Sequence, residues 1–342
     1  MDAKINDQQK LSKKSSLHPV DSLRVRFWYQ GIKRATKLST AYQIECYFEP
    51  LDEVTDGRTL FRNKWIRYEH GRHVPQAKLV ELVEAKCPGT AVDLYHPLWK
   101  TLKLDCYVPK EVESLFGLLE PQVKGVVYER PKNGFFSAVR LKFKATQIPY
   151  LLKIGNMDAL AALLLYWQEA TSNGNHSDAC FIAKKIYSIL LNLGWSFLQR
   201  DLDGEIFRLF KDKVFEKTDW EYGLFAVDEE MYCRSHLIIE QMLDTGPQIK
   251  PYDSWRSRSF TVYKMLDRKC GLYLHFGFGV ALSPNWSFGP PTPTQYNLWL
   301  DHWKSWLWGW VHVNQGTRGF YARDKVWHYI NEKYPRACKI DS

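Results

Sequence analysis

Two long apolar segments dominate what this chain can fold into. MDALAALLLYWQEA, from Met157, and SDACFIAKKIYSILLNLGWSFLQRDL, from Ser177, both carry apolar residues on a helical period and are joined by the polar loop TSNGNH. Neither can hide its apolar stripe alone, so the pattern predicts a helical hairpin packed into a helical core. The run ALAALLLYW is too short to cross a bilayer and is followed by Gln168 and Glu169, which makes it a buried core helix rather than a membrane span.

Around that hairpin the patterning is weaker. From Asp105 to about Lys144 the period is poor, and KGVVYERPKNGFFSAVRLKF reads as two strands around the turn PKNG. Asp219 to Lys269 mixes short helical pieces with loop chemistry. CGLYLHFGFGVALSPNWSFGPPTPT then combines β-like residues with a Gly/Pro linker. After the linker, Trp299, Trp303, Trp306 and Trp310 fall at steps of four, three and four, the spacing of one helix face. That stripe is read as core, with a protein interface or a stacking platform for single-stranded nucleic acid as the alternatives.

The first hundred residues are also helical in pattern. DSLRVRFWYQGIKRA opens on an acidic cap, while STAYQIECYFEP has a Ser/Thr start, Glu45 as its acidic capping partner and a proline stop. The fold expected is therefore mainly α. A flexible arm (1–20) precedes a helix-turn-helix-like bundle (21–104), a connecting segment with a β-hairpin (105–150) and a larger helical C-terminal domain (151–342). A length of 342 residues with 45% hydrophobic residues supports two or three such domains.

A formal charge of +9 favours a polyanionic partner without requiring one. The seven cysteines form no C-x-x-C pair and are read as lying at no ligand spacing from a histidine. Buried thiols are therefore expected, with no metal site, no cofactor and no disulfide framework. The polar N-terminus lacks the apolar stretch of a signal peptide or anchor, so a cytoplasmic protein without membrane contact is expected.

The densest local charge lies in RTLFRNKWIRYEHGRHVPQAKLVELVEAKCPGT. Between Arg58 and Lys78 it sets Arg58, Arg62, Lys64, Arg67, Arg72 and Lys78 against a single carboxylate, Glu69. A helix from Leu60 to Glu69 would bury Phe61, Trp65 and Tyr68 and leave Arg62, Asn63, Lys64 and Arg67 outward. Gly71 suits a left-handed helix end and Pro75 the start of a second, bracing helix, whose inward residues would be Leu79, Leu82 and Val83.

The run NKWIRYEHGRHVPQAKLVELVEA resembles the second half of the Cro/repressor-like, Xre-type helix-turn-helix, through Asn63, Ile66, Tyr68, Glu69, Gly71, Arg72 and Pro75. The resemblance implies a helix in the major groove of double-stranded DNA, with Thr59, Arg62 and Asn63, and beside them Lys64 and Arg67, as its reading residues. Arg58, Arg72 and Lys78 complete the candidate DNA-binding set. EPLDEVTDGRT stands where that family has a tight turn. Family habit implies a regulator or the targeting subunit of a bacterial mobile-element or phage-defence system. The C-terminal helical domain is left as a candidate surface for a protein partner or a homodimer.

Motif searching yields little enzymology. No G-x-S-x-G, Walker loop or H-E-x-x-H is present, and DTG at Asp244 reads as a turn. The alternative function rests on RDKVWH, where Arg323 and His328 resemble the Arg/His signature of HEPN-type ribonucleases and would serve as charge stabiliser and acid or base. Arg67 with His73, and Arg268 with His275, share comparable spacings.

Overall fold

A computed structural model describes residues 17–49, 63–129, 138–221, 223–245, 254–284 and 291–316, together with 328, 330 and 332. The described chain is mainly helical and divides between Trp99 and Lys100 into two compact units. The connecting segment expected at 105–150 thus belongs to the second unit.

In the first unit, α1 (Pro19–Thr36), α2 (Ala41–Phe48), α3 (Lys64–Glu69), α4 (Ala77–Lys86) and α5 (Thr90–Tyr95) surround one aromatic core. His18, not an acid, caps α1, and the capping-box partner of Thr40 on α2 is Gln43, while Glu45 is buried. Trp65 stacks on Trp28 (6.1 Å between ring centroids) and on Phe48 (5.5 Å), so α3 is held by α1 and α2 rather than chiefly by α4. Gly71 ends α3 with φ +62, and a Cβ there would lie 2.4 Å from Ser22 Oγ; conformation and space both demand glycine. On α4 the buried residues are Leu79, Val80 and Val83, while Leu82 is exposed, a correction to the inward set read from the sequence.

Helix α6 (Pro97–Lys103) carries the chain into the second unit, which continues with α7 (Pro109–Leu118) and α8 (Pro121–Val127). The expected hairpin shrinks to β1 (Tyr128–Glu129) and β2 (Val139–Arg140), paired antiparallel with Tyr128 opposite Arg140; the turn PKNG lies outside the described residues. Lys124 to Val127, expected as strand, are helical because Pro121 starts a helix that buries Val123 and Val127 one turn apart.

After α9 (Ile148–Ile154), the predicted helical hairpin is α10 (Met157–Ser172) and α11 (His176–Leu198), whose N-termini are capped by Asn156 and Asn175. Then follow α12 (Asp203–Phe210), a π-helical turn at Lys211–Phe215, β3 (Leu224–Phe225) and α13 (Glu229–Thr245). α14 (Trp255–Leu266), α15 (Leu272–Gly277), β4 (Leu282–Ser283, paired with β3) and α16 (Pro293–Asn314) complete the described elements. Both 219–269 and the stretch read as β-like after Cys270 are therefore more helical than their sequence pattern. Asp244 and Thr245 end α13 instead of forming a turn, and Gly246 lies outside the described residues.

The tryptophan stripe is not the core face of α16. Its buried line is Leu300, Lys304, Ser305, Trp308, Gly309 and Val313, whereas Trp299, Trp303, Trp306 and Trp310 are half-buried. They pair along the flank, Trp299 with Trp303 at 6.1 Å and Trp306 with Trp310 at 5.8 Å. α15 crosses α16 at Gly309 too closely for an indole, so the large rings fall to either side.

A buried polar hub joins four of these helices. The Arg258 guanidinium donates to Asn192 O (2.8 Å), to Asn192 Oδ1 (2.7 Å) and to Glu240. Asn192 Nδ2 in turn donates to Gly155 O (2.9 Å) and Ser259 Oγ (2.8 Å). Burial lowers the Arg258 guanidinium to about 10, which leaves it charged at neutral pH.

Candidate functional site

The helix expected from Leu60 is described from Lys64 on, with Asn63 at its head in a left-handed conformation (φ 53). Arg58, Thr59, Arg62 and Phe61 lie outside the described residues. Trp65 and Tyr68 are buried as expected, and Asn63, Arg67, Arg72 and Lys78 are exposed. Lys64 is half-buried and paired with Glu49, whose second oxygen accepts from Trp65 Nε1 at 3.1 Å. Its charge is therefore largely spent inside the unit.

Glu69 is likewise engaged, 3.7 Å from Lys33 Nζ, and burial, reinforced by Glu69, raises the Tyr29 hydroxyl well above its ordinary value. Lys64 answers Glu49 and Lys33 answers Glu69, while Arg67, Arg72 and Lys78 carry no ion pair among the described residues. The basic face is positioned by the aromatic stack behind it and by the Gly71 turn, through which Arg72 N donates to Arg67 O at 2.7 Å.

A second constellation lies in the other unit. Asp203, at the start of α12, accepts from His236 Nε2 (2.9 Å) and from the Cys233 thiol (3.2 Å) through the same oxygen. Cys233 and His236 stand three apart on α13, so a cysteine does lie at ligand spacing from a histidine, contrary to the expectation from the sequence. Thiol, imidazole and carboxylate are a donor set that zinc accepts.

As it stands, the cluster works as a clasp between α12 and α13. While Nε2 faces the carboxylate, the buried Nδ1 has no hydrogen-bond partner among the described residues. Burial opposes ionisation of Asp203, but hydrogen bonds from His236 and Cys233 prevail and hold its carboxyl below the usual range. Burial and the Asp203 carboxylate push the Cys233 thiol up to about 12. A thiol that donates to a carboxylate, rather than to a histidine, is not an activated nucleophile.

Of the Arg/His pairs, Arg323 lies outside the described residues and His328 is exposed. Arg67 and His73 are both exposed on the first unit. Arg268 and His275 line one cavity. Compared with known proteins, the chain matches no family model, no curated sequence and no solved structure.

Proposed function

We propose that the first unit binds double-stranded DNA, with the exposed side of α3 entering the major groove and the turn into α4 meeting the backbone. The observation that carries this reading is that Arg67, Arg72 and Lys78 are all exposed, on α3, the turn after it and the start of α4, and carry no ion pair among the described residues. Asn63 offers an amide able to pair with adenine, while Arg72 and Lys78 are placed as phosphate contacts. Rigid mounting supports the assignment, because a reading helix must keep its register while its outward side chains engage. Lys64 takes a bracing role through Glu49 instead of a contact with DNA.

The test is duplex binding by the full chain at several salt concentrations. Salt-sensitive association, weakened by Arg67→Ala and Arg72→Ala with the helical signal intact, is the expected result. Absence of any salt-sensitive association would reduce the basic face to a solvated surface.

A further inference from the structure

The cavity that brings Arg268 and His275 together lies in the second unit, between α11, the α14–α15 connection and α16, and has a volume of about 500 Å³. Lys184, Lys185 and Arg268 contribute three cations to its lining; Asp301 is the one acid among the described lining residues. Two histidines complete the polar wall. His275 Nδ1 lies 2.7 Å from Leu266 O, and His302 Nε2 lies 2.9 Å from Val280 O. A nitrogen bonded to a carbonyl must carry its proton, so each neutral ring turns its other nitrogen into an acceptor.

Three cations gathered round a half-buried cleft repel one another. Burial, offset in part by Asp267 and reinforced by Lys184 and Arg268, holds the Lys185 ammonium below its ordinary value. Burial likewise lowers both histidines, with Arg268 and Lys185 acting on His275 and Lys184 acting on His302. An anion in the cleft would offset the repulsion among these cations.

The cleft is also larger than a bare anion needs and has aromatic walls. Phe276 and Trp306 are half-buried in it, and Lys185 Nζ sits 5.4 Å from the ring centre of Phe181. Its volume falls in the ordinary range of sites for small organic ligands, roughly 300 to 1,000 Å³.

Arg268 supplies an independent sign. Its backbone is left-handed, with φ +62, in the connection between α14 and α15. Glycine adopts that conformation without cost and arginine does not, so a charged side chain is held here against local preference.

We propose that this cleft binds a nucleoside phosphate, its phosphate engaged by Lys184, Lys185 and Arg268 and its base packed against Phe276 and Trp306. The site lies wholly in the second unit and is independent of the DNA-binding reading. Calorimetry on the full chain would compare ADP, inorganic phosphate and adenosine, with Arg268→Gly and Lys185→Met as variants. ADP is expected to bind more tightly than either fragment, and each variant to weaken ADP by about tenfold or more, as loss of a charge-assisted hydrogen bond does.

Arg268→Gly also separates binding from folding, because glycine suits the backbone there and the melting temperature should hold or rise while affinity falls. Phosphate binding as tightly as ADP would overturn the nucleoside part. No ADP binding at millimolar concentration, or unchanged binding by both variants, would overturn the site.

Discussion

Gly277 and Gly309 meet backbone to backbone where α15 crosses α16: a Cβ on Gly277 would lie 2.7 Å from the Gly309 carbonyl carbon, and one on Gly309 would lie 2.3 Å from the Gly277 nitrogen. Replacing a helical glycine with alanine ordinarily gains up to about 1 kcal/mol. Here the added methyl must force two backbones apart, and overpacking of that kind costs about 1 to 3 kcal/mol. Gly309→Ala is therefore expected to lower the urea midpoint. A rise would show that α15 and α16 do not approach so closely.

Substitutions on the basic face should fall into two groups. Arg72→Ala and Lys78→Ala are expected to weaken duplex binding for all sequences alike and to reduce the slope of log affinity against log salt by roughly one unit each. Lys64→Ala should instead destabilise the first unit through loss of the Glu49 pair and leave the slope unchanged. Equal effects of Lys64 and Arg72 on the slope would contradict the bracing role assigned to Lys64.

Removing one member of the Arg258 hub should be severe. Glu240→Ala leaves a guanidinium buried without its carboxylate, a loss of about 3 to 5 kcal/mol in chemical denaturation. The double variant Arg258→Met with Glu240→Leu should recover part of that loss, because it buries no charge and leaves only the Asn192 acceptors without their donor. Recovery is the decisive readout: a double variant as unstable as the single one would place the cost in packing or in the stranded Asn192 acceptors rather than in the unpaired charge.

Acid should destabilise the second unit through His275 and His302. Both are lowered in the fold, chiefly by burial, so below the ordinary histidine value of about 6.5 the unfolded chain binds more protons than the folded one. Stability is fully present above that value and is lost as pH falls below it. Urea midpoints at pH 7.5 and 5.5, in buffers without phosphate, should show the fall, and His275→Asn with His302→Gln should reduce it. A midpoint equal at both values in the unmodified chain would refute the effect.

Cys233 should resist alkylation. Its thiol is pushed up to about 12 and donates to Asp203, whereas Cys106 is exposed. With iodoacetamide near pH 8, mass mapping is expected to find Cys106 modified well before Cys233. Asp203→Asn should speed the reaction at Cys233, since the carboxylate that disfavours the thiolate is gone.

The mainly α class, the α10–α11 hairpin and the buried pair Trp65 and Tyr68 were legible because each is written in residues close together in sequence, on a helical period. The tryptophan stripe shows where periodicity stops. Spacing identified one face of α16 but could not say that Gly309, on the neighbouring face, would be the point of closest approach. Of the basic set, the exposure of Asn63 and Arg67 followed from the pattern, but the diversion of Lys64 to Glu49 depends on where α2 ends. The Asp203 clasp carried one local signal, the spacing of Cys233 and His236, and its third member comes from another helix. Nothing local marks the cleft around His275 and His302, whose residues are drawn from α11, α15, α16 and their connections.

The Arg258 hub has a consequence for motion. Gly155 follows α9, Asn192 lies on α11, Glu240 on α13, and Arg258 and Ser259 on α14, so none of these helices can depart without stranding a polar group on the others. Their amide protons should exchange with solvent in a single shared opening, at one common free energy, while the exposed ends of the same helices exchange on their own.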